Sequence, residues 1–168
     1  ADMINTREND IIMSTLPTFH AFGLLATTIM PLTEGIPIVC HPDPTDVLVI
    51  AKGIARNNAT FLFGTSTFLR LYTINKRVHP LMMTSLRMVI AGAERLNPDT
   101  REAFAQKFHK PILEGYGATE TSPVASVNIP DQLDTNYWKT QVGQKQGTVG
   151  MPLPGTSFKI VNPNTLEE

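Results

Sequence analysis

The sequence contains little charge and only one cysteine. Asp, Glu, Lys and Arg make up 17% of its 168 residues, whereas about 25% is typical of a soluble domain. Such a composition is typical of a chain whose surface is partly covered by further protein. A net charge of −1, without a basic stripe, argues against a nucleic-acid partner. Cys40 ends an apolar run, so we expect a buried, reduced thiol and neither a disulfide nor a nucleophile.

Long hydrophobic runs are also scarce. The N-terminus begins polar and has no basic region leading into an apolar core, so we expect no signal peptide and a cytoplasmic location. The most apolar stretch, residues 21–32, is shorter than the roughly 20 residues that span a bilayer. It therefore predicts a buried helix and no membrane span.

Short apolar runs alternate with helical patterns through the first two thirds of the chain. Val47, Ile50, Ala51 and Ile54 have the i, i+3, i+4, i+7 spacing of a helix with one buried face. Strands are predicted at residues 11–14, 36–40, 60–63, 86–91 and 112–113. This alternation predicts an α/β fold, with a mostly parallel sheet and covering helices.

The pattern loosens after residue 123. Residues 124–129 predict a strand, and 130–146 predict a polar surface loop packed by Tyr137 and Trp138. Residues 158–161 alternate in polarity and predict a half-exposed strand.

The central stretch, residues 112–123, has the composition of a ligand site. A short apolar strand runs into Gly115, Tyr116 and Gly117, and then into Thr119 and Glu120. Glycines allow a ligand to approach the backbone, tyrosine offers a flat face to a planar ring, and a carboxylate suits a magnesium ion carried on phosphates. These parts indicate a nucleotide site. The alternative is a turn whose threonine caps the next segment.

Three further segments are candidates for the same site. Gly92, Ala93 and Glu94 follow the strand at 86–91, at the edge where parallel sheets bind ligands, although Glu94 alone could be a solvated loop carboxylate. His20 precedes an apolar helix and could either cap that helix or border a pocket. Residues 64–67 favour helix capping over phosphate binding, because the lysine of a Walker loop is absent.

Four motifs together resemble the adenylate-forming (AMP-binding) ligase superfamily. They are Leu-Pro-Thr-Phe-His-Ala-Phe-Gly at 16–23, Ala-Gly-Ala-Glu at 91–94, Gly-Tyr-Gly-Ala-Thr-Glu at 115–120, and Gly-Thr-Val-Gly-Met-Pro-Leu-Pro-Gly at 147–155. Residues 41–46 and 134–138 resemble the acyl-ACP synthetase half of bifunctional 2-acylglycerophosphoethanolamine acyltransferase/acyl-ACP synthetases, a subgroup similar to long-chain fatty acid–CoA ligases.

The resemblance implies ATP-dependent adenylation of a long-chain fatty acid, followed by acyl transfer to the thiol of coenzyme A or of acyl carrier protein. It implies that Thr119 hydrogen-bonds the α-phosphate, that Glu120 holds Mg²⁺, and that Tyr116 stacks on adenine between the openings at Gly115 and Gly117. By the same resemblance, the turn at 92–94 (Gly92, Ala93, Glu94) lies against the adenylate and the acyl group. His20 would stand between the acyl tunnel and the thiol channel.

Other parts of the family pattern are missing from the sequence. Residues 1–16 do not contain its Gly/Ser/Thr-rich phosphate loop with a lysine, and its ribose-binding aspartate, hinge and lysine-bearing C-terminal domain are not reached. We therefore expect residues 1–168 to be part of an AMP-binding domain that is inactive alone, within a parent protein at the inner membrane face. The alternative is a non-catalytic nucleotide- or protein-binding module. A hydrolase is disfavoured because no Gly-x-Ser-x-Gly elbow is present.

Overall fold

Five parallel strands form most of a seven-stranded sheet in the computed structural model, which describes residues 4–167. They are β1 (Ile12–Ser14), β2 (Ile38–Cys40), β3 (Phe61–Gly64), β4 (Met88–Ala91) and β5 (Ile112–Tyr116). Antiparallel β6 (Ser126–Val127) and β9 (Met151–Pro152) complete the order β2-β1-β3-β4-β5-β6-β9, while β7 (Gln132–Asp134) and β8 (Lys139–Gln141) form a separate hairpin. The predicted α/β fold with a mostly parallel sheet is confirmed.

The helices follow the strands in the predicted alternation. They are α1 (Ala21–Leu24), which continues through a π-helical turn (Leu25–Ile29) into α2 (Met30–Glu34), then α3 (Val47–Asn57), α4 (Ser66–Ile74) and α5 (Pro98–Phe108). Helix α3 buries Val47, Ile50, Ala51 and Ile54, the four residues that its spacing selected. Short 3₁₀ turns occur at Pro80–Met83 and Thr119–Thr121.

Two hydrophobic cores lie on opposite faces of the sheet. Successive strand residues point to opposite faces, so Leu62 packs with α3, α4 and α5, whereas Phe61 and Phe63 pack with α1. Because both faces are covered, the central strands are apolar without interruption, as expected for a parallel sheet.

A buried ion pair joins the N-terminal segment to Arg87, the residue before β4. Asp10, which is only 1% exposed, accepts hydrogen bonds from the Arg87 guanidinium, from the Arg7 backbone N–H at 2.7 Å and from the Thr60 hydroxyl at 2.8 Å. The guanidinium also lies 4.5 Å from the centroid of the Phe61 ring. Burial alone would raise the pKa of Asp10, but these hydrogen bonds lower it below its usual value.

The prediction that Cys40 is buried is wrong. Cys40 is exposed, because β2 is the outermost strand of the sheet and has a neighbour on one side only. An apolar run in the sequence does not show whether its strand lies at the edge of the sheet or inside it, so it does not predict which of its side chains are buried.

The predicted loop at 130–146 is instead a hairpin of β7 (Gln132–Asp134) and β8 (Lys139–Gln141). At its turn the Asp134 side chain accepts hydrogen bonds from the backbone N–H groups of Asn136 and Tyr137. This local turn carries the two aromatic side chains outward, so Tyr137 is 75% and Trp138 76% exposed. Their predicted packing role is therefore wrong.

Two other predictions are corrected. Residues 158–161 belong to none of the strands within residues 4–167, and Ile160 is exposed. The helical segment predicted at 21–32 exists, but only one face is buried, and Leu24 and Leu32 are exposed. Across residues 4–167 no helix has the length and apolar character needed to cross a membrane.

Candidate active site

A cavity of about 330 Å³ lies at the carboxyl edge of the parallel strands. In an open parallel sheet, ligands bind outside the carboxyl ends of the strands, close to the point where the strand order reverses. Here the order reverses between β1 and β3. The lining comes from the segment after β1, from β3, and from the ends of β4 and β5, and includes His20, Phe22, Phe63, Ile90, Gly92, Ala93, Gly115, Tyr116, Gly117 and Thr119.

The two glycines at the end of β5, Gly115 within it and Gly117 after it, are required by contacts with the protein's own backbone. A Cβ at Gly117 would lie 1.5 Å from the carbonyl oxygen of Pro123, and one at Gly115 would lie 3.2 Å from that of Ser126. Tyr116 between them is 49% exposed at the cavity, and its ring centroid is 6.5 Å from that of Phe158. The aromatic face therefore remains available to a planar ligand.

Thr119 and Glu120 lie in the 3₁₀ turn that follows. The hydroxyl that stabilises this turn belongs to Thr121, which accepts from the Ala118 N–H at 2.9 Å and donates to the Ala118 carbonyl at 2.8 Å. Thr119 is exposed and lines the cavity, whereas Glu120 is exposed and does not. The capping role that the sequence left open therefore falls to Thr121.

His20 both caps a helix and borders the cavity, the two alternatives that the sequence left open. It is the N-cap residue of α1, where its Nδ1 accepts a hydrogen bond from the Phe22 N–H at 3.3 Å, and its exposed side chain also lines the cavity. Because Nδ1 is the acceptor, the neutral imidazole carries its hydrogen on Nε2.

The turn after β4 divides between the cavity and α4. Gly92 and Ala93 line the cavity, and Ala93 has a left-handed backbone with φ of 67°. Glu94 is not part of the lining. Its Oε1 accepts from the Thr67 backbone N–H at 2.6 Å, in the first turn of α4. Burial alone would raise the pKa of Glu94, but hydrogen bonds from Thr67 and Thr65 lower it.

The capping interpretation of residues 64–67 is confirmed. Thr65 is the N-cap residue of α4, and its hydroxyl accepts from the Phe68 N–H at 3.3 Å.

A metal ion held by the protein alone would need several ligands. Within residues 4–167 no group of three or more His, Cys, Asp or Glu side chains lies together. Glu120 is a single exposed carboxylate close to Thr119, which fits a magnesium ion that takes its remaining ligands from nucleotide phosphates and water.

Asn128 is a supporting residue that sequence reasoning missed. This buried side chain donates to the carbonyls of Glu114 at 3.0 Å and Thr148 at 2.7 Å, and accepts from the Lys145 N–H at 3.0 Å. It joins β5 to the glycine-rich segment at 147–155. The available signal in the sequence was the polar side chain of Asn128 in the otherwise apolar run 124–129, which indicates a buried amide with hydrogen-bond partners.

The fold and cavity together define a ligand-binding α/β protein of the doubly wound class. Its cavity is lined mostly by apolar side chains, together with the backbone of two turns, the Tyr116 ring and Thr119. Such a site suits a ligand with an apolar body and a polar, planar end.

A family model described as AMP-binding enzyme matches residues 1–168, and the chain belongs to this family. It is 26% identical over 153 residues to a long-chain-fatty-acid–CoA ligase of Salmonella typhimurium, covering 91% of this chain and 26% of that protein. It is 28% identical over 165 residues to the probable 4-coumarate–CoA ligase 2 of Dictyostelium discoideum, covering 97% of this chain and 28% of that protein.

The fold agrees with solved structures. ATP-bound MatB from Rhodopseudomonas palustris superposes with a TM-score of 0.79 at 28% identity, over 99% of this chain and 30% of that one. The chain therefore spans between a quarter and a third of the length of these relatives.

Proposed function

We propose that the protein activates a carboxylic acid with ATP and then transfers the acyl group to a thiol, as an acyl-CoA ligase does. In the first step a carboxylate oxygen attacks the α-phosphorus of ATP, and the bond to pyrophosphate breaks. Such a reaction depends mainly on positioning and on neutralising charge. The observation that carries the proposal is that Tyr116, Thr119 and the Gly92–Ala93 turn line the same apolar cavity.

The residues at the cavity have matching roles in this proposal. Tyr116 stacks on the adenine, which approaches the backbone at Gly115 and Gly117. Thr119 donates a hydrogen bond to the α-phosphate. Glu120 would hold a magnesium ion, which neutralises phosphate charge when bound. His20 stands where the acyl group meets the incoming thiol.

The cavity favours an acid with an apolar body. Among residues 4–167, none of those that line it is Lys, Arg, Asp or Glu. A second carboxylate on the acid would be desolvated there without a cation to pair with, which is costly. We propose a long-chain fatty acid as the substrate, and the similarity to long-chain-fatty-acid–CoA ligases supports this choice.

The acyl acceptor in this proposal is coenzyme A or the pantetheine arm of acyl carrier protein. The resemblance of residues 41–46 and 134–138 to acyl-ACP synthetases supports the carrier protein. The proposed location is the cytoplasm, at the inner face of the membrane.

ATP–pyrophosphate exchange tests this function. The longest form of the protein that its gene encodes is assayed with palmitate, decanoate, 4-coumarate and malonate, and residues 1–168 are assayed beside it. We expect exchange with palmitate and none with malonate, and none from residues 1–168, since the sequence lacks the lysine-bearing phosphate loop. ATP binding without exchange by the longest form would instead indicate a non-catalytic module.

A further inference from the structure

The loop between β4 and α5 joins the cavity to a helix outside it. Its first residues, Gly92 and Ala93, line the cavity, while the next residue, Glu94, bonds to the first turn of α4. The Thr67 N–H that Glu94 satisfies is one of the helix N-terminal donors that has no partner within the helix. Glu94 thus connects the shape of the cavity to the position of α4.

A second contact holds the far end of the loop. The Asn97 backbone N–H donates to the Ser66 hydroxyl at 3.0 Å, again in the first turn of α4. Before the loop, the Gly92 N–H donates to the Gly64 carbonyl at 3.1 Å, which extends the pairing of β3 with β4. The loop is therefore fixed at Gly92, Glu94 and Asn97, and Ala93 lies between the first two of these residues.

Ala93 is where this arrangement is under strain. A non-glycine residue at φ of 67° persists only when its surroundings over-determine it. The neighbouring Gly92 packs closely on the Phe22 ring, where a Cβ would lie 3.1 Å from Cζ. If the Glu94–Thr67 hydrogen bond were lost, Ala93 could relax and this side of the cavity would shift.

We propose that Glu94 is a positioning residue: its carboxylate holds the Gly92–Ala93 turn against the cavity by bonding the Thr67 N–H, and does not itself contact the acid or the nucleotide. The part of this inference that concerns the acid rests on the proposed function. It differs from the role that the sequence motif implied for Glu94, which was contact with the ligand.

Three variants of the longest form of the protein test this role. Glu94→Ala removes the acceptor of the Thr67 N–H, whereas Glu94→Gln keeps an acceptor oxygen and removes only the charge. Ser66→Ala is the matched control, because it removes a separate hydrogen bond between this loop and α4, that of the Asn97 N–H, away from Gly92 and Ala93. If Glu94→Ala is insoluble, Glu94→Asp replaces it, since its shorter side chain draws the acceptor back.

We expect the KM for palmitate in pyrophosphate exchange to rise about tenfold in Glu94→Ala, the size expected for losing one hydrogen bond to a charged group. The kcat should change less than threefold. Glu94→Gln and Ser66→Ala should stay within about twofold of wild type. Equal impairment of Glu94→Gln and Glu94→Ala would overturn the proposal, since the charge itself would then act on the ligand; an unchanged KM in Glu94→Ala would also overturn it.

Hydrogen–deuterium exchange provides a readout that does not need activity. We expect faster backbone exchange in peptides covering 64–70 and 92–97 for Glu94→Ala, and wild-type exchange in the same peptides for Glu94→Gln. Identical deuterium uptake in the wild type, Glu94→Ala and Glu94→Gln would contradict the positioning role. If the wild type activates no acid, the proposed function fails, and this measurement still decides whether Glu94 holds the loop.

Discussion

The parallel strands β1–β5 and the antiparallel segment that follows Tyr116 differ in what surrounds them. The parallel strands lie between two hydrophobic cores, and β3 and β4 are buried throughout. In the later segment, β7 and β8 are fully exposed, and it is joined to β5 by short pairings and by the Asn128 side chain. The candidate site lies where the two regions meet. Its apolar interior comes from the parallel region, Tyr116 comes from the end of β5, and Thr119 and Leu153 come from the segment beyond β5.

The comparison teaches that the two regions are stabilised in different ways. In the parallel region burial of side chains on both faces of the sheet dominates, whereas the later region depends on individual hydrogen bonds between distant backbone positions. We therefore expect substitutions in the first region to unfold the protein and those in the second to loosen the site selectively.

The largest effect on stability is expected for Arg87→Met. It leaves the Asp10 carboxylate buried without its cation, which should cost about 3–5 kcal/mol of unfolding free energy. The folded state lowers the pKa of Asp10, so the pair stabilises the protein above the unfolded pKa and its contribution is lost as the pH falls through the folded pKa. Urea unfolding should therefore show a smaller difference in unfolding free energy between variant and wild type at pH 3 than at pH 7. A constant difference would count against the pairing.

Gly117→Ala should come next, with a larger effect on activity than on stability. A Cβ at this position collides with the Pro123 carbonyl, so the loop bearing Thr119 must move, at a cost of roughly 1–3 kcal/mol. In the longest form of the protein, we expect pyrophosphate exchange to be abolished. Gly35→Ala is the control, because Gly35 has φ of 69° but open space around it; it should lose stability and keep its activity. Retained exchange in Gly117→Ala would mean that the loop is not part of the site.

Asn128→Ala should have an intermediate effect on stability. It leaves the Glu114 and Thr148 carbonyls without this donor, which should cost about 1–3 kcal/mol. We expect limited proteolysis to become faster within 143–155 while the parallel region stays resistant. Asn128→Asp retains the acceptor for the Lys145 N–H and separates the two parts of the contact. Simultaneous loss of both regions would show that they unfold as one unit.

Trp138→Ala should have the smallest effect. Its side chain is 76% exposed at the hairpin turn, and exposed substitutions usually change stability by less than about 0.5 kcal/mol. Thermal unfolding should leave Tm within the error of the wild type. A loss of more than about 1 kcal/mol would show that the hairpin is packed in solution.

The parallel region was predictable because its signals are local. The spacing of residues 47–54 identified the buried face of α3, and residues 64–67 predicted the start of α4, where the Thr65 hydroxyl accepts from the Phe68 N–H at 3.3 Å. Of the later strands, β6 lies within the strand predicted at 124–129. Strands β7, β8 and β9 were not predicted, because each has only two or three residues, too few for a period of two to show. The turn at Asp134 gave a local signal, but its composition suited a loop equally well.

The sequence by itself determined the alternation of strands and helices, the apolar faces, and the motifs that the chain shares with AMP-binding enzymes, because periodicity and turn chemistry are properties of neighbouring residues. Only the tertiary structure decided that Thr119 lines the cavity while Thr121 holds the turn, that Glu94 faces α4, and that Cys40 is exposed. The lining role of Thr119, the direction of Glu94 and the exposure of Cys40 depend on elements distant in sequence, and no local pattern specifies where a side chain points relative to them.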